Sequence, residues 1–313
     1  MATDKRAAPA RPQISILMAV YEPRLDWLRM QLESLNAQTY PNLRLYIRDD
    51  CSPTVPFAEM EALAAECVTA FPYTFARNER NLGSNGTFEQ LTREAEGELF
   101  AYCDQDDQWL PEKLTVLEAE MALKTTLAYC DLSVMDGDGR TTAESLRRVR
   151  PRLRYVQGAG LSETYFFRNC SAGCATLVRA ETAKRALPFP RDTVCDQWVA
   201  IIAALDGEIA FVDRPLQRYR IHGGNQTGIL SGVTSGQTYY QRRILPLRER
   251  LAFYRNYTQP SPPLEAFVAG RLAGKLVPLL RYRALSPAEA KLELAMRILP
   301  PPLFRAALRR ISK

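Results

Sequence analysis

Three aspartates, Asp104, Asp106 and Asp107, fall within four residues, directly after the apolar run Leu99-Phe100-Ala101-Tyr102-Cys103. Carboxylates this close repel one another unless a cation neutralises them. Mg²⁺ and similar hard ions bind through one or two carboxylates together with the oxygens of a substrate phosphate. A strand that ends in such a cluster points to metal-assisted chemistry on a phosphorylated substrate. The alternative is a turn capping the helix expected from Pro111 to about Lys124, since Asp favours turns and N-caps.

The elements that must carry this cluster follow from the apolar pattern. Ile14 to Val20 is nearly continuous and apolar, as in a buried parallel strand. Leu25, Leu28, Leu32 and Leu35 then recur at helical spacing. Leu43, Leu45 and Ile47 alternate with polar residues up to Asp49-Asp50-Cys51-Ser52, and a helix is expected from Phe57. A short strand at Tyr73–Ala76, a Gly-bearing loop and a helix over Thr87–Ala95 lead back to the acidic strand. This rhythm means βαβ units, a parallel sheet, and ligands bound beyond the carboxyl ends of its strands. Tyr21-Glu22, Asp49-Asp50 and Asp104–Asp107 all stand at such ends.

Further along, a strand near Leu127–Met135 meets the turn Asp136-Gly137-Asp138-Gly139. That turn lacks the later Glu of a calcium loop and reads as a hairpin. Residues 140 to 160 are Arg-rich and read as a mobile excursion. Cys174–Arg179 and Ile209–Val212 read as strands, and Asp196 opens an apolar helix that runs to Leu205.

The chain has 313 residues and a net charge of +6. From Thr238 onward there are 15 Lys/Arg against 4 Asp/Glu, so the body is mildly acidic and the tail basic. This argues against a nucleic-acid-binding body and allows the tail to meet an anionic membrane surface. The seven cysteines lack the paired spacing of a zinc site and read as buried thiols of a cytoplasmic protein. Residues 1–12 read as a disordered lead, 13–230 as a catalytic domain and 231–313 as a basic helical region. Within that region Leu272, Leu276, Leu279 and Leu280 with Arg271, Lys275, Arg281 and Arg283 make an amphipathic basic stretch, as does Leu303–Ile311. Packing on the catalytic domain or on a second subunit is the competing reading.

Taken in order, Val20-Tyr21, Asp49 to Ser52, Asn81-x-Gly83, Asp104-x-Asp106-Asp107, Asp196 and His222-Gly223-Gly224-Asn225 resemble the landmarks of the family 2 glycosyltransferases. The resemblance covers about Gln13 to Gly228. It implies a GT-A fold: an α/β, Rossmann-like, mostly parallel sheet flanked by helices, here with a C-terminal helical extension. It also implies a nucleotide-diphosphate-sugar donor and Mg²⁺ or Mn²⁺. It places Ala19, Tyr21, Glu22, Asp50, Asn81, Gly83 and Asp104 around the nucleotide, and Arg220, His222 and Asn225 over the diphosphate. Asp104, Asp106 and Asp107 become the metal residues, with Asp106 the direct ligand. Asp196 becomes the catalytic base. Two positions depart from the pattern: Glu22 stands where Asn is common, and Pro53-Thr54 follow Ser52 where an acid is often found. The finer likeness is to bacterial rhamnosyltransferases of O-antigen or related surface polysaccharides, which implies dTDP-rhamnose, a glycan or lipid-linked glycan acceptor and a peripheral membrane location.

The chemistry is consistent with these residue types. A departing diphosphate gains charge that a metal stabilises, and the acceptor hydroxyl needs a base within hydrogen-bond reach. Direct attack inverts the anomeric centre without a covalent nucleophile. Asp196 also suits an N-cap, and Trp198 suits either packing or stacking on an acceptor sugar. A UDP-hexose donor, a sugar nucleotidyltransferase and a non-catalytic nucleotide-sugar-binding protein remain as alternatives, and a homo-oligomer is compatible with all of them.

Overall fold

The computed structural model describes residues 11–151, 153–222 and 233–298. The chain opens with β1 (Ile14–Val20), α1 (Leu25–Asn36), β2 (Leu43–Asp49), α2 (Phe57–Cys67), β3 (Tyr73–Arg77), α3 (Gly83–Glu94) and β4 (Leu99–Cys103). Then come β5 (Gln108–Trp109), α4 (Lys113–Ala119), β6 (Thr125–Met135), β7 (Thr141–Ala143), α5 (Leu146–Val149), α6 (Ser162–Phe167), a 3₁₀ turn at Gly173–Ala175, β8 (Thr176–Arg179), α7 (Ala180–Arg185), α8 (Cys195–Asp206) and β9 (Glu208–Arg220). The last described part holds α9 (Gly236–Tyr239), a π turn at Tyr240–Ile244, α10 (Pro246–Tyr254), α11 (Pro262–Leu272), α12 (Leu276–Arg281) and α13 (Pro287–Ile298).

One nine-stranded sheet runs β3-β2-β1-β4-β8-β6-β9-β5, with β7 beside β6. β1, β2, β3 and β4 are mutually parallel, as the apolar pattern required. Antiparallel pairing enters where β8 joins β4 and β6, so the whole sheet is mixed. Strand alternation divides the core in two. Ile14, Ile16, Met18 and Val20 with Leu99, Ala101 and Cys103 face α1, α2 and α4. Leu17, Phe100 and Tyr102 face the opposite layer of α3, α6 and α8. This is the period-2 consequence of a pleated strand buried on both faces.

α8 is apolar almost all round because it lies between the sheet and the C-terminal helices. Leu247, Leu251, Leu264, Phe267, Val268, Leu279 and Ala290 join the same core cluster as Trp198 and Ile201. The C-terminal helices through α13 therefore pack on the catalytic layer. Leu303–Ile311 lies outside the described residues.

Three expectations change. The helix after Pro111 is only α4: Arg179 donates to the carbonyls of Ala122 and Thr125, which ends the helix and turns the chain into β6. Residues 140–160 are not simply irregular. They hold β7 and α5, and Ser145 Oγ and Tyr155 Oη both donate to buried Asp131 at 2.5 Å. β9 continues well past Val212, with register shifts that take Pro215 into the sheet without breaking it. That continuation carries Gln217, Arg218 and Arg220 to the acidic cluster.

Candidate active site

The carboxyl ends of β1, β2 and β4 face one edge, and their loops are tied to one another. Gln105, inside the acidic segment, accepts the Tyr21 N–H at 2.7 Å and donates back to the Tyr21 carbonyl at 3.1 Å. The N–H of Glu22 meets Ser52 Oγ at 2.8 Å, and Ser52 Oγ donates to buried Asp49 at 2.6 Å. Glu22 has φ 44°, a left-handed conformation rare for a residue with a side chain. Its carboxylate accepts the Thr54 N–H at 2.8 Å, the Thr54 hydroxyl and the Val55 N–H at 3.2 Å. The two positions that depart from the family pattern thus bond to each other. Ala19 is half-buried on β1 and the Tyr21 ring is exposed.

Asp50 is buried and occupied. Oδ1 accepts from Asn78 Nδ2 at 2.8 Å and from Leu82 N at 2.7 Å, and Oδ2 accepts from Gly83 N at 2.8 Å. Asn81 Oδ1 shares the Gly83 N–H at 3.0 Å. Gly83 sits at φ 72°, which glycine adopts without steric cost. Asp50 therefore organises the Asn81–Gly83 loop and the start of α3. Three of its acceptor positions are taken before any ligand arrives.

The three acids of the cluster have separate surroundings. Burial, then the charge of Asp106, pushes the Asp104 carboxyl up to about 7. Burial, then the charges of Asp104 and Asp106, pushes Asp107 well above the ordinary carboxylate range. Asp107 is fully buried: one oxygen accepts the Arg220 N–H at 2.9 Å and the other accepts from Gln217 Nε2. Asp107 does not cap α4; it fastens β9 to the acidic loop, and an oxygen of its carboxyl lies within 4.8 Å of Asp104 and the Cys174 thiol. Asp106 is partly exposed, and its Oδ2 lies 2.7 Å from His222 Nε2. Cys174 brings its thiol near Asp104 and Asp107, with all three ligand atoms within 4.8 Å of one another. Burial and those two acids push that thiol well up, so it stays protonated and suits no hard cation. Among the described residues, Asp104 and Asp107, beside the Cys174 thiol, are the acids whose oxygens lie within reach of one ion, and Asp106 with His222 forms a separate, partly exposed pair.

Arg220 is also corrected. It is fully buried, with Nε donating to the Asp106 carbonyl at 2.7 Å and Nη1 to the Asp136 carbonyl at 2.9 Å. Its guanidinium stacks on Trp27 at 4.7 Å, and the His222 ring lies 4.9 Å from the same indole. Arg220 therefore braces the acidic loop and is not turned out over a diphosphate. Asn225 lies outside the described residues.

Asp196 opens α8 and is half-buried. Oδ2 accepts from Asn169 Nδ2 and from Gly173 N, both at 3.0 Å, and Oδ1 accepts from Gln197 N at 2.7 Å. Burial raises its pKa despite these three bonds. Gly173, which holds Asp196, is the chain neighbour of Cys174, whose thiol lies beside Asp104, so the two carboxyls flank the same turn. Asn85 fixes the approach to α8: it donates to the Thr193 carbonyl at 2.7 Å and accepts the Cys195 N–H at 2.9 Å. Trp198 is excluded from acceptor stacking. It is fully buried, donates to the Ala186 carbonyl at 2.9 Å and packs edge-on against Phe253 and Tyr257.

Sequence reasoning missed Trp27, Asn78, Asn85, Lys113, Asn169 and Gln217. Lys113 is fully buried, donating to the Cys174 carbonyl and, at 2.7 Å, to Gln217 Oε1, while Gln217 holds Asp107. A lone glutamine inside the long strand β9 was the one available signal.

The sequence profile described as Glycosyl transferase family 2 matches residues 15–181, more than half of the chain. The chain belongs to glycosyl transferase family 2. An uncharacterized glycosyltransferase of Nostoc sp. is 26% identical over 72% of this chain and 70% of its own length. The Escherichia coli UDP-Glc:alpha-D-GlcNAc-diphosphoundecaprenol beta-1,3-glucosyltransferase WfgD is 23% identical over 64% of this chain and 73% of its own. Across the curated relatives, the matches span from 31% to 73% of the relative's length. Among solved structures, Staphylococcus aureus TarS 1–349 in complex with UDP-GlcNAc superposes with a TM-score of 0.59, covering 94% of this chain and 89% of that one at 17% identity. The mannosyltransferase of Pyrobaculum calidifontis in complex with GDP-Man and Mn²⁺ gives 0.57, covering 96% and 79%, also at 17% identity. These likenesses establish the fold of a family 2 glycosyltransferase.

Proposed function

We propose that this family 2 glycosyltransferase transfers a sugar, with inversion, from a nucleotide-diphosphate donor to a hydroxyl of a bacterial surface glycan. The observation that carries the reading is Asp196. Its half-buried carboxylate is held by Asn169 and Gly173, on the turn whose next residue, Cys174, lies beside Asp104. A carboxyl held above its ordinary pKa is a stronger base when ionised, which suits proton removal near neutral pH. In the reaction Asp196 takes the acceptor hydroxyl proton, and the acceptor oxygen bonds to the anomeric carbon. The bond from that carbon to the donor phosphate oxygen breaks, and the nucleoside diphosphate leaves.

Asp104, Asp106 and Asp107 would hold a divalent cation, Mg²⁺ or Mn²⁺, with His222 bonded to Asp106. Such an ion supplies charge stabilisation to the departing diphosphate. The chain's own residues do the positioning. Asp107 and Arg220 hold the acidic loop against β9, and Trp27 supports both Arg220 and His222. Gln105 and Ser52 tie the β1 loop to its neighbours, and Asp50 shapes the loop that would line the nucleotide.

For the donor, the motif likeness supports dTDP-rhamnose. A UDP-hexose is the second reading, favoured by the UDP-glucose in the name of WfgD and the UDP-GlcNAc complex of TarS. The diphosphoundecaprenol acceptor in WfgD's name supports a lipid-linked acceptor met at the inner face of the membrane. The test is nucleotide release from dTDP-rhamnose, UDP-glucose, UDP-GlcNAc and GDP-mannose with Mn²⁺ or Mg²⁺, in wild type and Asp196→Asn. Turnover of dTDP-rhamnose alone supports the first donor, and turnover of a UDP-sugar the second. Equal release by wild type and Asp196→Asn would sink the base assignment.

A further inference from the structure

The basic amphipathic stretch expected after residue 270 is divided by the fold. Arg271 is not on the surface: it is buried and pairs with Glu289 at 2.8 Å and Glu293 at 2.6 Å. Leu279 is fully buried as well. Glu289 and Glu293 are the only acids between Gly274 and Ile298, and both turn inward onto Arg271. Glu293 is buried and Glu289 is 31% exposed but paired, so the exposed charge of that segment is predominantly cationic: Lys275, Arg281, Arg283, Lys291 and Arg297.

The same segment exposes large apolar side chains. Leu276 is 44% exposed, Val277 73%, Leu280 40% and Ile298 77%. Leu276, Val277 and Leu280 lie within one arc of about 100° on α12, and buried Leu279 bounds that arc on its inner side. Arg297 donates to the Gly274 carbonyl at 2.9 Å, which sets the end of α13, and Ile298 with it, beside the start of α12. The helix is held firmly. Gly270 lets Pro278 approach so closely that a Cβ there would collide with the proline ring. Exposed apolar residues flanked by cations, presented on a docked helix, have the chemistry of an interfacial membrane anchor.

We propose that α12 and the end of α13 form a docking face for an anionic lipid bilayer. Leu276, Val277, Leu280 and Ile298 enter the headgroup region, while Lys275, Arg281, Arg283 and Arg297 meet lipid phosphates. The inference deepens the reading of a lipid-borne acceptor, but its test needs neither donor nor acceptor. The full-length protein is mixed at low salt with vesicles of phosphatidylglycerol and phosphatidylcholine, or of phosphatidylcholine alone, and sedimented.

Wild type binds the anionic vesicles and not the neutral ones, and added salt releases it. Lys275→Gln with Arg281→Gln weakens binding by about 25-fold, taking about fivefold for each cation near the surface. Val277→Glu with Leu280→Glu weakens it by about tenfold or more. Melting temperature and nucleotide release in solution stay at wild-type values in both variants. Absence of wild-type binding overturns the proposal, as does binding that ignores both variants. If Val277→Glu with Leu280→Glu instead abolishes a concentration-dependent dimer in vesicle-free gel filtration, the face belongs to a second copy and the membrane assignment falls. Loss of nucleotide release in wild type would instead strike the catalytic reading and leave the vesicle result standing.

Discussion

Gly173→Ala tests the placement of Asp196 without touching a charged group. Gly173 donates its N–H to Asp196 Oδ2 at 3.0 Å, and its φ is not left-handed, so alanine is tolerated by the backbone. An added Cβ would stand 2.8 Å from Asp196 Cβ. Carbon atoms sit at about 3.5–4.0 Å in contact, so one side must retreat by roughly 1 Å. A Cβ cannot swing away as a side-chain tip can, so the 3₁₀ turn or the first turn of α8 has to move. A displacement of about 1 Å at a reacting group costs about 100-fold in rate. That is about 2.7 kcal/mol in the barrier. Overpacking costs about 1–3 kcal/mol of stability, which leaves a folded enzyme to assay. The measurement is saturating kcat by nucleotide release, with melting temperature and Mn²⁺ binding recorded on the same preparations. We expect kcat to fall toward that of Asp196→Asn while Mn²⁺ binding holds. A Gly173→Ala enzyme with kcat within threefold of wild type would refute the claim that Asp196 must stay where Gly173 and Asn169 hold it.

Three further outcomes follow from the geometry. Asp104 keeps its proton up to about 7 when folded, against 3.8 when unfolded, so the folded state binds more protons between those values. Stability of the metal-free protein should therefore fall as pH rises through this window, by up to about 1.4 kcal/mol per pH unit. Melting temperatures from pH 4 to 8 check the slope, which Asp104→Asn should reduce while Asp107 and Asp196 keep the rest; no slope in wild type would contradict the half-buried, repelled carboxyl. Lys113→Met removes the donor to the Cys174 carbonyl and Gln217 Oε1 and leaves both buried and unsatisfied. It should cost about 2–5 kcal/mol in urea unfolding and weaken Mn²⁺ binding by loosening Gln217 from Asp107; a loss under 1 kcal/mol would mean that water replaces the ammonium. Glu22→Gln and Thr54→Val should be strongly non-additive in donor affinity, since each removes the same contact between two loops; simple additivity in a double-mutant cycle would separate the two positions.

Periodicity alone determined the parallel half of this protein. Ile14, Ile16 and Met18 are buried on one face and Leu17 on the other, which the apolar run of a doubly covered strand demands. Because ligands of such sheets meet the carboxyl ends of the strands, the positions of Tyr21, Asp50 and Asp104 could be read from the order of residues. What each side chain does there was decided elsewhere in the chain. Asp106 and Asp107 are adjacent, yet one reaches His222 and the other is sealed under Arg220 and Gln217, because β9 returns more than 100 residues later to pair with β5. Arg220 read as a diphosphate contact and Arg271 as a surface cation until burial on Trp27 and against two glutamates turned them into internal braces. Trp198 joined the core because Phe253 of α10, Tyr257 and the Ala186 carbonyl close over it. Local pattern fixes which residues lie at a strand end, since that depends on a two-residue repeat. The free oxygen, the buried charge and the exposed face depend on which distant element arrives to cover them, and only the tertiary structure brings that element in.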